Sequence, residues 1–338
     1  MNRHDYITRM ILEPGISLIS KECKVTLNKK SAPPTKTEIL KNITGKDGVL
    51  CTVSDTIDAS VLDAAGQNLK VISSYSSGYD HIDVKEATSR GIYVTFTSDI
   101  PAEATADLAF ALLLACARNI VACDRFVREC RWKIGWAPTL MLGHDVYGAT
   151  LGIIGLGKIG SAVARRAKGF GMQILYFDQY RNYKMESDLG VKFASLDELL
   201  EQSDFITLHT DLNSKTCNLI DESKLQKMKK TAFLINTARG QIVNEADLVK
   251  ALKSKRIAGA GLDVFGTEPL PSSNPLLKLK NVIILPHIGC ATYQTRSRMA
   301  AVAALNLLDV LNGRKPSPAF LVNPEVRGGR PFSPTATA

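Results

Sequence analysis

Residues 150–178, with the sequence TLGIIGLGKIGSAVARRAKGFGMQILYFD, constrain the fold of this chain more than any other segment. An apolar run leads into Gly155-Leu156-Gly157-Lys158-Ile159-Gly160, here called the glycine-rich loop; a helical segment and a second apolar run ending at Asp178 follow. In a dinucleotide-binding βαβ unit, such glycines permit a tight turn, close approach of a pyrophosphate and tight helix packing. An acidic residue about 20 positions further on binds ribose hydroxyls. The segment therefore predicts a dinucleotide site, with an ordinary tight strand-to-helix turn as the alternative.

The composition is that of a globular protein with enough residues for two domains. The chain has 338 residues, 45% of them hydrophobic, and lacks the run of about 18 uncharged apolar residues that predicts a membrane span. Its first six residues are mostly polar, so no signal peptide is expected. Lysines and arginines are scattered, so the net charge of +9 favours a solvated surface over a nucleic-acid site. Seven cysteines without CxxC spacing predict reduced thiols, no metal site and a cytoplasmic location.

Strand-like and helix-like segments alternate along both halves of the chain, which predicts an α/β fold with parallel sheets. In the first hundred residues, the β-rich runs lie at 49–53, 69–73 and 92–95, and the helical segments at 35–43 and 59–65. A long helix from Pro101 to about Arg128 and an irregular region separate these from a second alternating region at 151–286. A helix at 291–311 closes the fold, and the polar residues 327–338 are expected to be disordered.

Glycine-rich or polar residues follow each predicted strand of the second region. They are the glycine-rich loop, Asp178, His209, Asn236-Thr237-Ala238-Arg239, Asp263 and His287. Ligands of open parallel sheets bind beyond the carboxyl ends of the strands, where such residues meet. Their repetition at successive strand ends predicts one site.

Three of the polar residues in this region suit the reduction of a keto acid. Such a reaction needs a guanidinium fork for the carboxylate, an acid for the oxygen and a carboxylate that keeps the acid charged. Arg239, His287 and Glu268 supply one of each, with a structural ion pair as the alternative. His209 is the competing acid. Asp263 either accepts a hydrogen bond from a nicotinamide carboxamide or caps a turn.

Four motifs in a fixed order resemble the D-isomer-specific 2-hydroxyacid dehydrogenases over residues 6–326. They are the glycine-rich loop, Asn236-Thr237-Ala238-Arg239-Gly240, Ala260-Gly261-Leu262-Asp263-Val264-Phe265 with Glu268-Pro269, and Leu285-Pro286-His287-Ile288-Gly289. Motifs at 78–83, 104–107 and 135–138 resemble those of the glyoxylate/hydroxypyruvate reductase branch. The resemblance implies two Rossmann-like domains, one flavodoxin-like and one dinucleotide-binding. Residues 1–101 and 290–326 would form the substrate domain, and residues 102–289 the dinucleotide-binding domain with a dimerisation arm at about 102–148.

The same resemblance implies a role for each site residue. Arg239 clamps the substrate, His287 is the acid and base, and Glu268 is the partner of His287. The implied substrate-binding residues are Ser77, Gly78, Trp136, Arg239 and His287, Trp136 reaching toward the active site of a second subunit in a homodimer. The implied cofactor-binding residues are Thr105, Gly155, Gly157, Lys158, Ile159, Gly160, Asp178, His209, Thr237, Ala238, Asp263 and Gly289.

Two departures from the family pattern bear on the prediction. Asp211 stands where the family often has proline, so the family pattern does not extend to the shape of that loop. Asp178 stands near where the glyoxylate branch often has Arg or Ser, and its charge would repel the adenosine phosphate of NADP. This favours NAD, with NADP as the alternative because Arg181 lies three residues further on.

The predicted function is NAD(P)H-dependent reduction of glyoxylate or hydroxypyruvate to the D-2-hydroxy acid, with His287 as the proton donor. One alternative is a dinucleotide-sensing binding protein like the C-terminal-binding-protein corepressors, which resemble this family and keep the same Arg, Glu and His. Another is a dehydrogenase of a different small acid, such as phosphite or phosphoglycerate.

Overall fold

The computed structural model describes residues 3–326, so the predicted tail at 327–338 lies outside the described residues. The chain folds into two compact units. The first contains the described residues up to Pro101 together with those from Ala291 on, and the second is Ala102–Cys290. Both sheets are parallel throughout, which confirms the predicted α/β fold class.

The first unit is a five-stranded sheet with helices on both faces. Its strands are β1 (His4–Ile7), β2 (Lys24–Leu27), β3 (Gly48–Cys51), β4 (Val71–Ser74) and β5 (Tyr93–Thr95), in the order β2-β1-β3-β4-β5. Its helices are α1 (Gly15–Glu22), α2 (Lys36–Ile43), α3 (Ala59–Ala65), α4 (Val84–Ser89) and α12 (Tyr293–Leu311). The last helix returns from the far end of the chain and packs with α1, and its apolar side chains join one of the two cores of the unit.

The second unit is a seven-stranded sheet of the doubly wound type. Its strands are β6 (Thr150–Ile154), β7 (Gln173–Phe177), β8 (Lys192–Phe193), β9 (Phe205–Leu208), β10 (Phe233–Asn236), β11 (Gly259–Leu262) and β12 (Val282–Ile284). Its helices are α5 (Ala102–Ala117), α6 (Ile120–Arg128), α7 (Lys158–Gly169), α8 (Tyr183–Leu189), α9 (Leu196–Gln202), α10 (Glu222–Leu225) and α11 (Glu245–Lys253). The strands lie in the order β12-β11-β10-β9-β6-β7-β8. From β6, successive strands are therefore added toward one edge of the sheet up to β8, and from β9 toward the other edge. Such a reversal opens a crevice at the carboxyl ends of the strands, where ligands of this fold bind.

The predicted single helix from Pro101 to Arg128 is wrong, because the segment forms two helices. Asn119 lies between α5 and α6 in the left-handed conformation, with φ +55°, and the two helices are bent by 62°. Asparagine tolerates this conformation better than most residues, and the Asn119 side-chain amide donates from Nδ2 to the Leu142 carbonyl at 2.9 Å. Among residues 3–326, no single helix is long and apolar enough to cross a membrane; only this bent pair, taken together, meets that test.

Candidate active site

The glycine-rich loop connects β6 to α7 in the form that the sequence predicts. Gly155 has φ +93°, and a Cβ added there would lie 2.6 Å from the carbonyl carbon of His209. A Cβ at Gly160 would lie 2.0 Å from the Gly155 carbonyl oxygen, whereas one at Gly157 would meet no described atom within 4 Å. Gly155 and Gly160 are therefore required by packing, while the space beside Gly157 is open. No side chain caps the N-terminus of α7, so this end of the helix suits an anion such as a pyrophosphate.

Asp178 lies directly after β7 and is joined to the glycine-rich loop. Its Oδ2 accepts a hydrogen bond from the Leu156 amide at 2.7 Å. This contact holds the residue that follows β7 against the turn that follows β6. The structure thus places Asp178 beside the loop, and its binding of a ribose stays a prediction.

The loop that carries Arg239 is shaped by Asn236 and Gly240. The Asn236 side chain accepts from the Ala238 amide at 3.0 Å and donates to the Arg239 carbonyl at 2.9 Å. A Cβ at Gly240 would lie 1.9 Å from the carbonyl carbon of Phe265, so this loop presses against the next one along the sheet edge. The sequence prediction gave neither residue a role, although an Asn at a strand end is typical of turns that its side chain closes.

Glu268 and His287 form a hydrogen-bonded pair. The Nδ1 atom of His287 lies 2.7 Å from Glu268 Oε2, and Glu268 Oε1 accepts from the Phe265 amide at 3.0 Å. Burial alone would raise the pKa of Glu268, but the hydrogen bond and charge of His287, the Phe265 amide and the charge of Arg239 hold it below its usual value. The carboxylate is therefore ionised at neutral pH. With Nδ1 engaged, Nε2 is the ring nitrogen of His287 that faces away from Glu268.

The turn that carries His287 is held by Asp263. This buried carboxylate accepts from the Ile288 and Gly289 amides, each at 2.8 Å, and the His287 amide donates to the Asp263 carbonyl at 2.9 Å. His287 itself is left-handed, with φ +55°. Asp263 thus caps a turn, one of its two predicted alternatives. Thr105 lies beside the same turn, since a Cβ at Gly289 would lie 3.5 Å from its hydroxyl oxygen.

His209 is a poor candidate for the proton donor. Its Nε2 is 2.8 Å from the Thr207 hydroxyl, and its Nδ1 is buried with no hydrogen-bond partner among the described residues. Burial lowers the pKa of His209 to about 3. The imidazole is therefore neutral at physiological pH, and an uncharged ring is a much weaker acid than imidazolium. The buried hydroxyl of Thr237 likewise lacks a partner in the described part of the chain.

Other predicted residues lie in the first unit and in the region that follows α6. Ser77 and Gly78 follow β4 in the first unit, where the Ser76 hydroxyl donates to the Gly78 carbonyl. Trp136 is 87% exposed, in a region that also exposes Trp132. Within residues 3–326, no group of three or more His, Cys, Asp or Glu side chains is placed to hold a metal ion.

The amino-acid sequence is similar to those of many known proteins. Residues 110–289 match the model of the D-isomer specific 2-hydroxyacid dehydrogenase, NAD binding domain. A glyoxylate reductase of Korarchaeum cryptofilum is 51% identical over 326 residues, which cover 96% of this chain and 97% of that protein. A glyoxylate reductase of Thermofilum pendens is 49% identical, with 97% and 96% covered.

Solved structures agree over nearly the whole chain. A protein of Thermus thermophilus superposes with a TM-score of 0.88 at 44% identity, covering 94% of this chain and 99% of that one. A glyoxylate reductase named as from Paecilomyes thermophila has a TM-score of 0.84 at 32% identity, covering 97% and 100%.

Proposed function

Because the chain belongs to the D-isomer-specific 2-hydroxyacid dehydrogenase family and is an NAD(P)-dependent oxidoreductase, we propose that it reduces glyoxylate or hydroxypyruvate to the D-2-hydroxy acid. The observation that carries the proposal is the pairing of Glu268 with His287 beside the loop of Arg239, at the carboxyl ends of neighbouring strands. The names of the similar proteins, several of them glyoxylate reductases, support the choice of small keto acids.

In the proposed mechanism the bound reduced dinucleotide supplies a hydride to the keto carbon. The Arg239 guanidinium holds the substrate carboxylate through two parallel N–H donors. His287 donates its Nε2 proton to the keto oxygen, so that the hydride and this proton together convert C=O to CH–OH. Glu268 accepts from Nδ1, which fixes the ring and stabilises its protonated form before transfer. In the oxidative direction, neutral His287 takes the hydroxyl proton back.

The residues of the second unit fit a dinucleotide. The open space beside Gly157 and the uncapped N-terminus of α7 would hold the pyrophosphate, and Asp178 would bind a ribose. The Thr237 hydroxyl and the Nδ1 atom of His209, which have no hydrogen-bond partner among residues 3–326, would provide further polar groups for the same ligand.

The first unit would act as the substrate domain, and the chain as a cytoplasmic homodimer. The backbone N–H groups at Ser77 and Gly78 would bind the substrate carboxylate. The exposed side chains of Trp132 and Trp136 favour contact with a second copy. Seven free cysteines suit a reducing compartment.

The experiment that tests the proposal is the loss of nicotinamide absorbance with the purified protein. NADH and NADPH are each supplied with glyoxylate, hydroxypyruvate, pyruvate or phenylpyruvate, and the chirality of the product formed from hydroxypyruvate is determined. Fast oxidation with the two small acids and a D product is expected. Tight NADH binding without turnover of any acid would contradict the proposal and favour the dinucleotide-sensing alternative.

A further inference from the structure

Glu186 of α8 binds the guanidinium of Arg181 with two hydrogen bonds. Arg181 Nε lies 2.8 Å from Glu186 Oε1, and Arg181 Nη2 lies 2.9 Å from Oε2. The Glu186 side chain is only 18% exposed, and the Tyr176 phenol donates to its Oε1 at 2.6 Å while accepting from the Asn182 amide at 2.7 Å. The carboxylate is therefore fixed from two sides, and it holds the arginine in a planar fork.

Two aromatic rings hold the same guanidinium from other directions. The Arg181 carbon Cζ lies 5.1 Å from the centroid of the Tyr183 ring and 5.7 Å from that of Phe193. Both distances are within the range of cation–π attraction. The hydrogen bonds from Arg181 and Tyr176 lower the pKa of Glu186, so the carboxylate is charged at neutral pH. Arg181 is thus neutralised and held in place.

Arg181 lies close in sequence to Asp178, the residue expected to bind the ribose of the dinucleotide. Asp178 follows β7 beside the glycine-rich loop, and Arg181 follows three residues later. In dinucleotide-binding folds, an acidic residue at the end of this strand binds the ribose 2′-hydroxyl of NAD, while a nearby arginine accommodates the 2′-phosphate of NADP. This chain has both residues, one suited to each coenzyme.

We propose that Glu186 is a coenzyme-specificity residue: it engages the donor atoms of Arg181 that would bind a 2′-phosphate, and so favours NADH over NADPH. The inference rests on the proposed function only in assuming that a dinucleotide binds at the glycine-rich loop. Asp178 and Glu186 have separate tasks. Asp178 repels the 2′-phosphate directly, whereas Glu186 removes the cation that would offset this repulsion.

The test is the Glu186→Gln variant, with dissociation constants of NADH and NADPH measured separately by nicotinamide fluorescence and without any keto acid. Glutamine keeps an oxygen for the Tyr176 phenol but removes the charge that holds Arg181. We expect NADPH to bind about tenfold more tightly relative to NADH than in the wild type, a free-energy change of about 1.4 kcal/mol. Asp188→Asn is the matched control, because it makes the same charge change on the same helix, and its ratio should stay within twofold of wild type.

Two arginine variants separate release of Arg181 from a general charge effect. In Glu186→Gln with Arg181→Gln, the gain in NADPH affinity should disappear. Arg181→Gln alone should change that affinity less than threefold, because Nε, Nη2 and the positive charge of Arg181 are already paired with Glu186. This measurement also serves if Glu186→Gln does not fold.

An unchanged NADPH-to-NADH ratio in Glu186→Gln, or a gain that persists without Arg181, would overturn the inference. So would a tenfold loss of NADPH affinity in Arg181→Gln alone. These outcomes leave the proposed function intact as long as NADH binds. A wild-type protein that binds neither dinucleotide would instead overturn both.

Discussion

Replacing Glu268 with glutamine tests the proposed proton transfer by changing the group that contacts Nδ1 of His287. Glutamine has the same shape, and its amide oxygen can keep the hydrogen bond from the Phe265 amide, now 3.0 Å long. Its NH₂ group then faces Nδ1 of His287, which in the wild type lies 2.7 Å from a carboxylate oxygen. An NH₂ donor needs Nδ1 as an acceptor, so the variant favours the neutral ring. We therefore expect slower protonation of the keto oxygen with little change in dinucleotide binding.

The size of the loss follows from the strength and exposure of this hydrogen bond. Hydrogen bonds that involve a charged group contribute about 1.5–3 kcal/mol. The side chains of His287 and Glu268 are 32% and 34% exposed, so water screens the pair and the lower part of that range, about 1.5–2 kcal/mol, applies. At about 1.4 kcal/mol per factor of ten, kcat should fall roughly 10- to 30-fold.

The assay is NADH oxidation at saturating keto acid, with the NADH dissociation constant measured in parallel. Glu245→Gln is the matched control: this carboxylate contacts the same segment, at the Gly266 amide (3.4 Å), and binds Asn274 at 2.6 Å. The control should retain at least half of the wild-type kcat. A Glu268→Gln enzyme within twofold of wild type would refute the reasoning, because its carboxylate would then have no part in the chemical step.

Further predictions concern the other polar residues of the site. His287→Asn should lower kcat about 10²- to 10⁴-fold and His209→Asn less than tenfold; the reverse order in the NADH assay would make His209 the acid. Arg239→Lys should raise KM for the keto acid about tenfold or more without changing NADH affinity, since a lysine has no planar fork. Gly240→Ala should destabilise the fold by about 2–3 kcal/mol in urea unfolding, because its methyl group would lie 1.9 Å from the Phe265 carbonyl carbon. Burial lowers the pKa of His209 from 6.5 to about 3, so its contribution to stability is complete above pH 6.5 and is lost as pH falls toward 3. Between pH 7.5 and pH 5 the free energy of unfolding should fall by about 2 kcal/mol for this reason, and unfolding curves of His209→Asn should lack this loss.

The strand-to-helix turns could be predicted because their signals are local. Three glycines and a following acid describe the dinucleotide turn by themselves, and the structure forms it as predicted. The capping box of Thr35 and Glu38, reciprocal in the structure, confirms the predicted start of α2. The edge strands β2 and β8 were missed, since their exposed or half-buried residues lack the apolar run that identifies an inner strand. The inner strand β1 was missed as well, since it is only four residues long and contains the buried Asp5. The break at Asn119 was missed because the apolar pattern continues across it.

Candidate site residues could be proposed from the sequence, but their contacts could not. Arg239, Glu268 and His287 were chosen by residue type at strand ends, and only the strand order β12-β11-β10 brings their loops together. Asp263 shows the limit most clearly. A carboxylate at that position could bind a ligand or cap a turn, and the sequence alone does not distinguish these two roles. The structure shows the turn, with two amides at 2.8 Å.

The two carboxylates near His287 have pKa values shifted in opposite directions: that of Asp263 is raised and that of Glu268 is lowered. The opposite shifts accord with different roles for the two residues. Burial raises the pKa of Asp263, an effect that its bonds to the Ile288 and Gly289 amides and the charge of His287 only partly offset. The pKa of Glu268 is held low by His287, the Phe265 amide and Arg239 despite its burial. Asp263 binds backbone amides and thereby holds His287 in its left-handed turn, a conformation uncommon outside glycine. In the proposed mechanism, Glu268 instead accepts the hydrogen bond from Nδ1 and places a negative charge beside the ring. With the backbone fixed through one carboxylate and the ring oriented through another, Nε2 would stay in position during the proposed donation and recovery of a proton.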